Sequence, residues 1–265
     1  MLLKAKSAAK TDIGLVRRSN QDSFGLAEDS GLYVVCDGMG GNVGGEIASS
    51  LAGQTFLQTA RQELQAISAG PERARNALWR GALAANRTVR MRAAYDARYR
   101  GMGTTLVAAH IENDLLTLIN VGDSRAYLVR DAQAHQLTMD HSYVAESVRR
   151  GLMTVEQAQR SAMQSVITRA IGAEDDVEPD LYEEPLLLGD TLLLASDGLT
   201  RHVTDPAIGE ILGRENQSAV ESCRLLIEQA KDDGGTDNIT CLVVRMLDAN
   251  AELHHGKLMW PGVSL

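Results

Sequence analysis

The sequence is poor in cysteine, proline and aromatic residues, and it has no long hydrophobic run. Its 265 residues include 3 cysteines, 5 prolines and 4% aromatic residues. An odd number of cysteines, without zinc-binding or redox spacing, favours free thiols in a reducing compartment over a disulfide scaffold. No segment approaches the roughly 18 apolar residues of a membrane span, and the N-terminus lacks the apolar core of a signal peptide. We therefore expect a cytoplasmic protein with no membrane partner.

Basic residues are outnumbered by acidic ones. The chain has 26 lysines and arginines against 35 aspartates and glutamates, which gives a formal net charge of −9. This balance argues against nucleic acid as the main partner, because nucleic acid is bound by a basic face. The 44% of hydrophobic residues is instead typical of a protein with a packed core. No repeat or linker divides the chain, so we predict one domain over residues 1–248 and a C-terminal tail over 249–265.

Short apolar runs rich in β-branched residues occur along the chain together with segments of helical spacing. The predicted strands are 32–36, 104–111, 115–121, 125–130, 191–196 and 239–246. The predicted helices are 46–67, a second from Pro71 to Val89, and 219–230, while 140–170 is helical or loop-like with a capping box at Thr154–Gln157. Consecutive strands are too close in sequence for helices between them, so we expect antiparallel hairpins. The pattern predicts packed antiparallel sheets with helices outside.

Four aspartates mark strand ends beside glycine-containing turns. Asp37, Asp123 and Asp197 each follow a β-rich run, and Asp237 precedes one. Any one of them alone is best interpreted as an ordinary turn residue. Carboxylates gathered without histidine or cysteine would repel one another unless a cation neutralised them, and such hard oxygen ligands favour Mg²⁺ or Mn²⁺. The four together therefore favour a metal site, although spacing alone does not show that they converge.

The ordered set of motifs resembles the metal-dependent protein phosphatases of type 2C in their bacterial form. The matching segments run from about residue 8 to residue 247, in family order. They are TDIGLVR (11–17) with NQD (20–22), VCDGMGG (35–41) with GE (45–46), GMGTT (101–105), VGDSR (121–125), ITRA (167–170), ASDGL (195–199) and GTDN (235–238). The resemblance implies an α+β fold, namely a four-layer α-β-β-α sandwich of two antiparallel sheets flanked by helices, with a flap subdomain at about 140–175.

The resemblance also assigns metal ligands. It implies that Asp37 bridges two metals, that the Gly38 carbonyl ligates the second, and that Asp197 and Asp237 complete the first. Asp123 lies where bacterial relatives bind a third metal, shared with Asp197. Two further positions carry weaker expectations: Asp22 would support the water shell of the metals, and Ser165 in the flap would add a contact to the third.

Arg17 is the implied phosphate-binding residue, because its planar guanidinium matches two phosphoryl oxygens. A solvated arginine is the alternative interpretation, and the neighbouring Arg18 could confuse the register. Two positions depart from relatives. Met39 follows the Asp37-Gly38 pair where eukaryotic members have a histidine proposed as general acid, and Gln21 replaces a glutamate of some relatives.

The implied function is a serine/threonine protein phosphatase that opposes bacterial protein kinases. The resemblance implies two to three Mn²⁺ or Mg²⁺ ions and attack by a metal-bridging hydroxide without a phosphoenzyme. Phosphorylated proteins would be its partners, including a serine/threonine kinase, and a monomer is expected. Two alternatives stay open: a phosphatase-like binding module without turnover, and an enzyme restricted to anti-anti-sigma regulators. A cysteine-based phosphatase is excluded, because no cysteine is followed six residues later by arginine.

Overall fold

The computed structural model describes residues 3–66, 70, 72–214 and 217–249. The strands in this part of the chain are β1 (Leu3–Asp12), β2 (Asp22–Ala27), β3 (Leu32–Met39), β4 (Gly103–Thr104), β5 (Leu106–Glu112), β6 (Leu115–Val121), β7 (Arg125–Arg130), β8 (Gln133–Gln136), β9 (Asp180–Pro185), β10 (Thr191–Ala195) and β11 (Ile239–Asp248). The helices are α1 (Gly41–Ala66), α2 (Arg73–Tyr95), α3 (Tyr143–Arg149), α4 (Val155–Gln159), α5 (Asp197–Thr200), α6 (Asp205–Leu212) and α7 (Ala219–Asp232).

The strands form two antiparallel sheets. One sheet has the order β1-β11-β10-β7-β8, and the other has the order β2-β3-β5-β6-β9 with β4 added beside β3. Several strands that carry motif residues pair with strands far away in the sequence. Examples are β1 with β11 and β10 with β7. The two sheets therefore bring together residues from both ends of the chain.

Three hydrophobic cores separate four layers. Side chains such as Val35, Leu118 and Leu194 fill the space between the sheets. Helices α1 and α2 cover one sheet through a core that contains Phe56. Helices α5, α6 and α7 cover the other through a core that contains Leu226. The predicted four-layer α-β-β-α sandwich is confirmed.

The predicted elements are present with some changes at their boundaries. The first predicted helix begins at Gly41 rather than residue 46, since the glycines of 41–45 are helical despite their low helix propensity. The second begins at Arg73, and Pro71 lies outside the described residues, as does most of the predicted tail, 250–265. Strands β1, β2, β8 and β9 and helices α5 and α6 were not predicted.

The segment between β8 and β9 carries the predicted flap. It contains α3 and α4, and the capping box at Thr154 and Gln157 is formed. Isolated bridges tie the segment to itself, Ser142 with Ile167, and to β4, Thr104 with Ile171. In the described part of the chain no helix has the length and apolarity to cross a membrane. All three cysteines are buried free thiols.

Candidate metal centre

The aspartates predicted to bind metal lie at one end of the sandwich. Asp37 is near the end of β3, and the antiparallel register places Asp22 of β2 directly opposite it. Asp197 begins α5 immediately after β10, and Asp237 lies just before β11. Asp123 follows β6. The strands deliver these carboxyl groups from five separate places in the sequence to the same cleft.

The carboxyl groups of the cleft raise one another's pKa, because they are enclosed together. Burial, reinforced by the charges of Asp22 and Asp197, raises the pKa of Asp37 well above its usual value. Burial and the charges of Asp197 and Asp237 raise the pKa of Asp22 to about 7. Burial together with the charge of Asp197 likewise raises the pKa of Asp123 to about 7. Each carboxylate is thus held where its negative charge is unfavourable without a cation.

Unpaired oxygens in the cleft fit a cation. Asp22, Asp123 and Asp197 each have a buried Oδ1 atom with no hydrogen-bond partner in the described part of the chain. Such atoms are rare in folded proteins because leaving them unpaired is costly. The donor set is oxygen only, which suits Mg²⁺ or Mn²⁺. These features make the residues a fitting site for hard divalent ions.

The carboxylate oxygens of the cleft do not all point to one position. No group of three acidic, histidine or cysteine side chains within the described ranges is arranged to hold an ion as it stands. Two arginines pair with carboxylate oxygens instead. Arg17 Nη2 lies 2.7 Å from Asp237 Oδ2, and Arg201 Nη2 lies 2.5 Å from Asp197 Oδ2. Each arginine therefore neutralises one carboxylate oxygen of the cleft.

The loop that carries Arg17 is fixed by Asn238. The Asn238 side-chain amide donates to the carbonyls of Ile13 at 3.0 Å and Ser19 at 2.9 Å, and its oxygen accepts from the Gln21 backbone N–H at 2.9 Å. The Arg17 side chain itself remains 53% exposed. Its hydrogen bond to Asp237 raises its pKa further. A fixed backbone with an exposed guanidinium suits capture of an anionic group above the carboxylates.

Hydrogen bonds fix the backbone of Asp37, and the next position, Gly38, has no space for a side chain. Thr105 Oγ1 accepts from the Asp37 N–H at 2.8 Å, and the Asp37 carbonyl accepts from the Thr105 N–H and the Thr104 hydroxyl, both at 2.9 Å. A Cβ added to Gly38 would lie 2.0 Å from the Gly45 carbonyl oxygen. Only glycine permits this close approach of the strand to the loop.

Ser165 differs from the other predicted site residues. It lies in an exposed turn between α4 and the bridge at Ile167. Asp22, by contrast, is 8% exposed and accepts a hydrogen bond of 2.7 Å from Ser196. The metal contact of Ser165 stays a prediction.

Two site residues were missed by sequence reasoning, Arg201 and His202, and both follow α5 directly. Arg201 is four residues after Asp197 and pairs with it, which is a spacing that a helix starting at Asp197 would have indicated. His202 accepts the Thr236 N–H at Nε2 (3.2 Å), and Nδ1 lies 3.0 Å from the Asp233 carbonyl, to which its proton is donated. His202 thus holds the backbone that leads into Asp237, and no local signal in the sequence shows this long-range contact.

Replacing His202 by alanine is expected to weaken Mn²⁺ binding by about 10-fold, since residues that orient metal ligands typically contribute 10- to 100-fold in affinity. Calorimetric titration with Mn²⁺ measures the change directly. The matched control is His135→Ala, because His135 is exposed on β8. Unchanged Mn²⁺ affinity in the His202 variant would contradict its role in positioning Asp237.

An oxygen-rich acidic cleft at the end of a four-layer sandwich, with an arginine above it, defines a metal-dependent phosphohydrolase. The comparisons with known proteins make the class specific. The family model of protein phosphatase 2C matches residues 16–229. The serine/threonine phosphatase stp of Listeria innocua is 37% identical over 238 residues, which cover 89% of this chain and 93% of that protein. The chain belongs to the protein phosphatase 2C family, and the predicted enzyme class is confirmed.

Solved structures agree with this assignment. The crystal structure of the serine/threonine phosphatase PstP from Mycobacterium tuberculosis has a TM-score of 0.80 and 35% identity, covering 94% of this chain and 100% of that one. A structure of the PstP catalytic domain in complex with two manganese ions has a TM-score of 0.78 and 35% identity, covering 93% of this chain and 100% of that one. The predicted requirement for a divalent metal is confirmed at the level of the family.

Proposed function

We propose that this chain dephosphorylates phosphoserine and phosphothreonine in proteins at the cleft that contains Asp37. Two Mn²⁺ or Mg²⁺ ions would be held by Asp37, the Gly38 carbonyl, Asp197 and Asp237. Asp123 would share a third ion with Asp197. The observation that carries this proposal is the group of enclosed, mutually repelling carboxyls, with the unpaired buried oxygens of Asp22, Asp123 and Asp197. The manganese ions bound to PstP support it.

Each residue of the cleft would have a separate role in catalysis. The ions, when bound, would supply a water of lowered pKa and neutralise phosphoryl charge. Asp37 and Asp237 would supply carboxylate oxygens to the ions, whose charge would favour the ionised form of both side chains. Arg17, released from Asp237, would donate two N–H groups to the phosphoryl oxygens and orient the group for attack. Asp22, whose carboxylate accepts the Ser196 hydroxyl, would keep its free oxygen directed to the water around the ions.

The direct test is phosphate release from a phosphothreonine peptide with Mn²⁺, with Mg²⁺ and with EDTA. Turnover that requires a divalent ion supports the proposal. Bound metal and bound phosphopeptide without any turnover would overturn it in favour of a phosphoprotein-binding module. The same assay with each ion alone also decides between Mn²⁺ and Mg²⁺.

Replacing Arg17 by alanine should raise KM for a phosphopeptide and lower kcat, with kcat/KM falling about 100-fold, because a guanidinium that stabilises transition-state charge is lost. Arg17→Lys should recover little, since an ammonium cannot make the paired contact. Steady-state kinetics with Arg18→Ala as control measures this, because Arg18 is the exposed neighbour. Equal losses in the Arg17 and Arg18 variants would contradict the specific role of Arg17.

The proposal extends to the setting of the enzyme. Residues 1–248 form the catalytic domain, with the flap at about 140–175. The substrates are phosphorylated proteins, including a serine/threonine kinase that the phosphatase opposes. The enzyme acts as a monomer in the cytoplasm. Size-exclusion chromatography with light scattering tests the monomer, and dephosphorylation of an autophosphorylated kinase from the same cell tests the partner.

A further inference from the structure

The C-terminal part of α2 and the turn after it carry concentrated positive charge. Residues 87–100 contain five arginines and one aspartate, in a protein whose net charge is −9. We define the α2 basic surface as the exposed residues Arg87, Met91, Tyr95, Arg98 and Arg100. The first three recur every four residues and therefore lie along one side of the helix. No feature of the metal centre accounts for this surface.

The packing of α1 against α2 places the C-terminal end of the α2 basic surface beside the metal centre. Arg73 Nε donates to the Leu64 carbonyl at 2.9 Å, and a Cβ added to Gly81 would lie 2.9 Å from the Phe56 ring. From the first contact to the second, the chain moves forward along α2 by as many residues as it moves back along α1. The two helices are therefore antiparallel, and their contacts keep one register. Continued along the helices, this register brings the last turn of α2 to the first turn of α1, at 41–45. That turn follows Asp37 and Gly38 directly.

A second contact places the end of the α2 basic surface at the same loop. The Met102 N–H donates to the Tyr99 carbonyl at 3.0 Å, which holds the turn containing Arg100. Met102 in turn packs on the metal-site loop, where a Cβ added to Gly40 would lie 2.7 Å from the Met102 Cα atom. Arg100 is thus two residues before Met102, which contacts the loop beside the catalytic cleft. Helix spacing and chain length put it about 10–20 Å from Asp37.

Two guanidinium groups of the surface are free to bind a ligand. The side chains of Arg87 and Arg100 are exposed and have no hydrogen bond or ion pair in the described part of the chain. Arg98 is paired with Asp96 and lies over the Tyr99 ring. The flap is the other basic region near the cleft. Its Arg150 and Arg169 pair with neighbouring carboxylates, whereas its exposed Arg149 and Arg160 have no side-chain hydrogen bond or ion pair in the described part of the chain.

Large apolar side chains lie between these arginines. Met91 is 72% exposed and Tyr95 is 88% exposed. Tyrosine, methionine and arginine are the residues enriched where proteins bind other proteins. A surface that alternates arginine with such side chains fits a peptide segment that carries both acidic and apolar residues.

We propose that the α2 basic surface binds an acidic segment of the phosphoprotein substrate while the phosphorylated residue is in the cleft. The proposal rests on the proposed phosphatase function and specifies its substrate class: phosphoproteins with acidic residues about three to six positions from the phosphoserine or phosphothreonine, a distance set by the extended chain. The occupant is a protein segment rather than nucleic acid, because the basic area is short, interrupted by apolar side chains and part of an acidic protein.

The test compares two phosphothreonine peptides that differ only in flanking charge, one with glutamates at positions three to six and one with glutamines there. Wild-type enzyme in Mn²⁺ should favour the glutamate peptide about 10-fold in kcat/KM, and the preference should shrink at high salt because exposed charges are screened. The variant R87Q/R100Q should lose most of this preference, mainly through KM. Its turnover of the glutamine peptide and of p-nitrophenyl phosphate should be unchanged.

The matched control is Arg80→Gln, in the N-terminal half of the same helix, where Arg80 is 64% exposed and pairs with Glu63. It should keep the wild-type preference. Equal kcat/KM for the two peptides in the wild type, or a preference that R87Q/R100Q retains, would overturn the inference while turnover of the aryl phosphate still supports the enzyme. Anionic vesicles or RNA binding through these arginines without any peptide preference would also overturn it. Absence of all turnover would instead count against the proposed function itself.

Discussion

Asp37→Asn is expected to lower phosphate release in Mn²⁺ by about 1,000-fold or more, while the protein remains folded. Asparagine keeps the shape of the side chain but removes the charge proposed to hold both ions, and with them the activated water. Because burial and neighbouring carboxylates already raise the pKa of Asp37, its loss should not destabilise the protein in a chelator. Turnover of a phosphothreonine peptide and thermal unfolding in EDTA measure the two effects.

The control for this prediction is Asp29→Asn. Asp29 is exposed, pairs with Arg61 and lies at the other end of the β2–β3 hairpin from Asp37. It should keep wild-type turnover. Activity near wild type in the Asp37 variant, with metal present, would contradict the proposed centre. Loss of activity accompanied by a lower unfolding temperature would show that Asp37 acts on the fold instead.

The strands that end at the metal centre were predictable because their signal is local. Leu32–Cys36 and Thr191–Ala195 are continuous apolar runs, and the structure buries each of them completely. Strands β1 and β2 were missed because they are only partly buried, so their sequences lack such runs. Apolar pattern therefore located the central strands and not the outer ones.

Convergence of the carboxylates could not be derived from spacing. Asp22 and Asp37 become direct neighbours only through the β2–β3 register, and Asp237 approaches Asp197 only through the pairing of β10 with β11. Resemblance to a family supplied what local pattern could not. The same limit explains why His202 was missed, since its contact with Thr236 spans 34 residues.

The position of the α2 basic surface could not be predicted from the sequence either. Its arginines are visible in the sequence, but a helix with many arginines is most simply a solvated face. Only the antiparallel packing of α1 and α2 shows that this helix ends at the catalytic cleft. The arginines of α2 therefore indicate a substrate preference only when the fold shows that they lie near the cleft.

Stability is expected to depend on pH in opposite directions with and without metal. A carboxyl whose pKa is higher in the folded protein stabilises the fold most below its unfolded value near 3.8, and that contribution is lost as pH rises through the folded pKa. Asp22 and Asp123 have pKa values raised to about 7. In EDTA the free energy of unfolding should therefore fall between about pH 4 and pH 7. For Asp22 alone the cost is on the order of 4 kcal/mol.

Mn²⁺ should reverse this trend, because the ion binds the ionised carboxylates and competes with protons less as pH rises. Chemical denaturation at pH 5, 6, 7 and 8, in EDTA and in excess Mn²⁺, measures both slopes. Asp22→Asn should flatten the EDTA slope, whereas Asp29→Asn should leave it unchanged. Carboxyls with lowered pKa, such as Asp12 and Asp180, lose their stabilising effect only at lower pH, so they do not contribute in this window. Parallel slopes in EDTA and Mn²⁺ would contradict a centre in which enclosed carboxylates are neutralised by metal. Opposite slopes of unfolding free energy against pH would show that the ionised carboxylates destabilise the fold without metal. They would also show that bound Mn²⁺ removes this destabilisation.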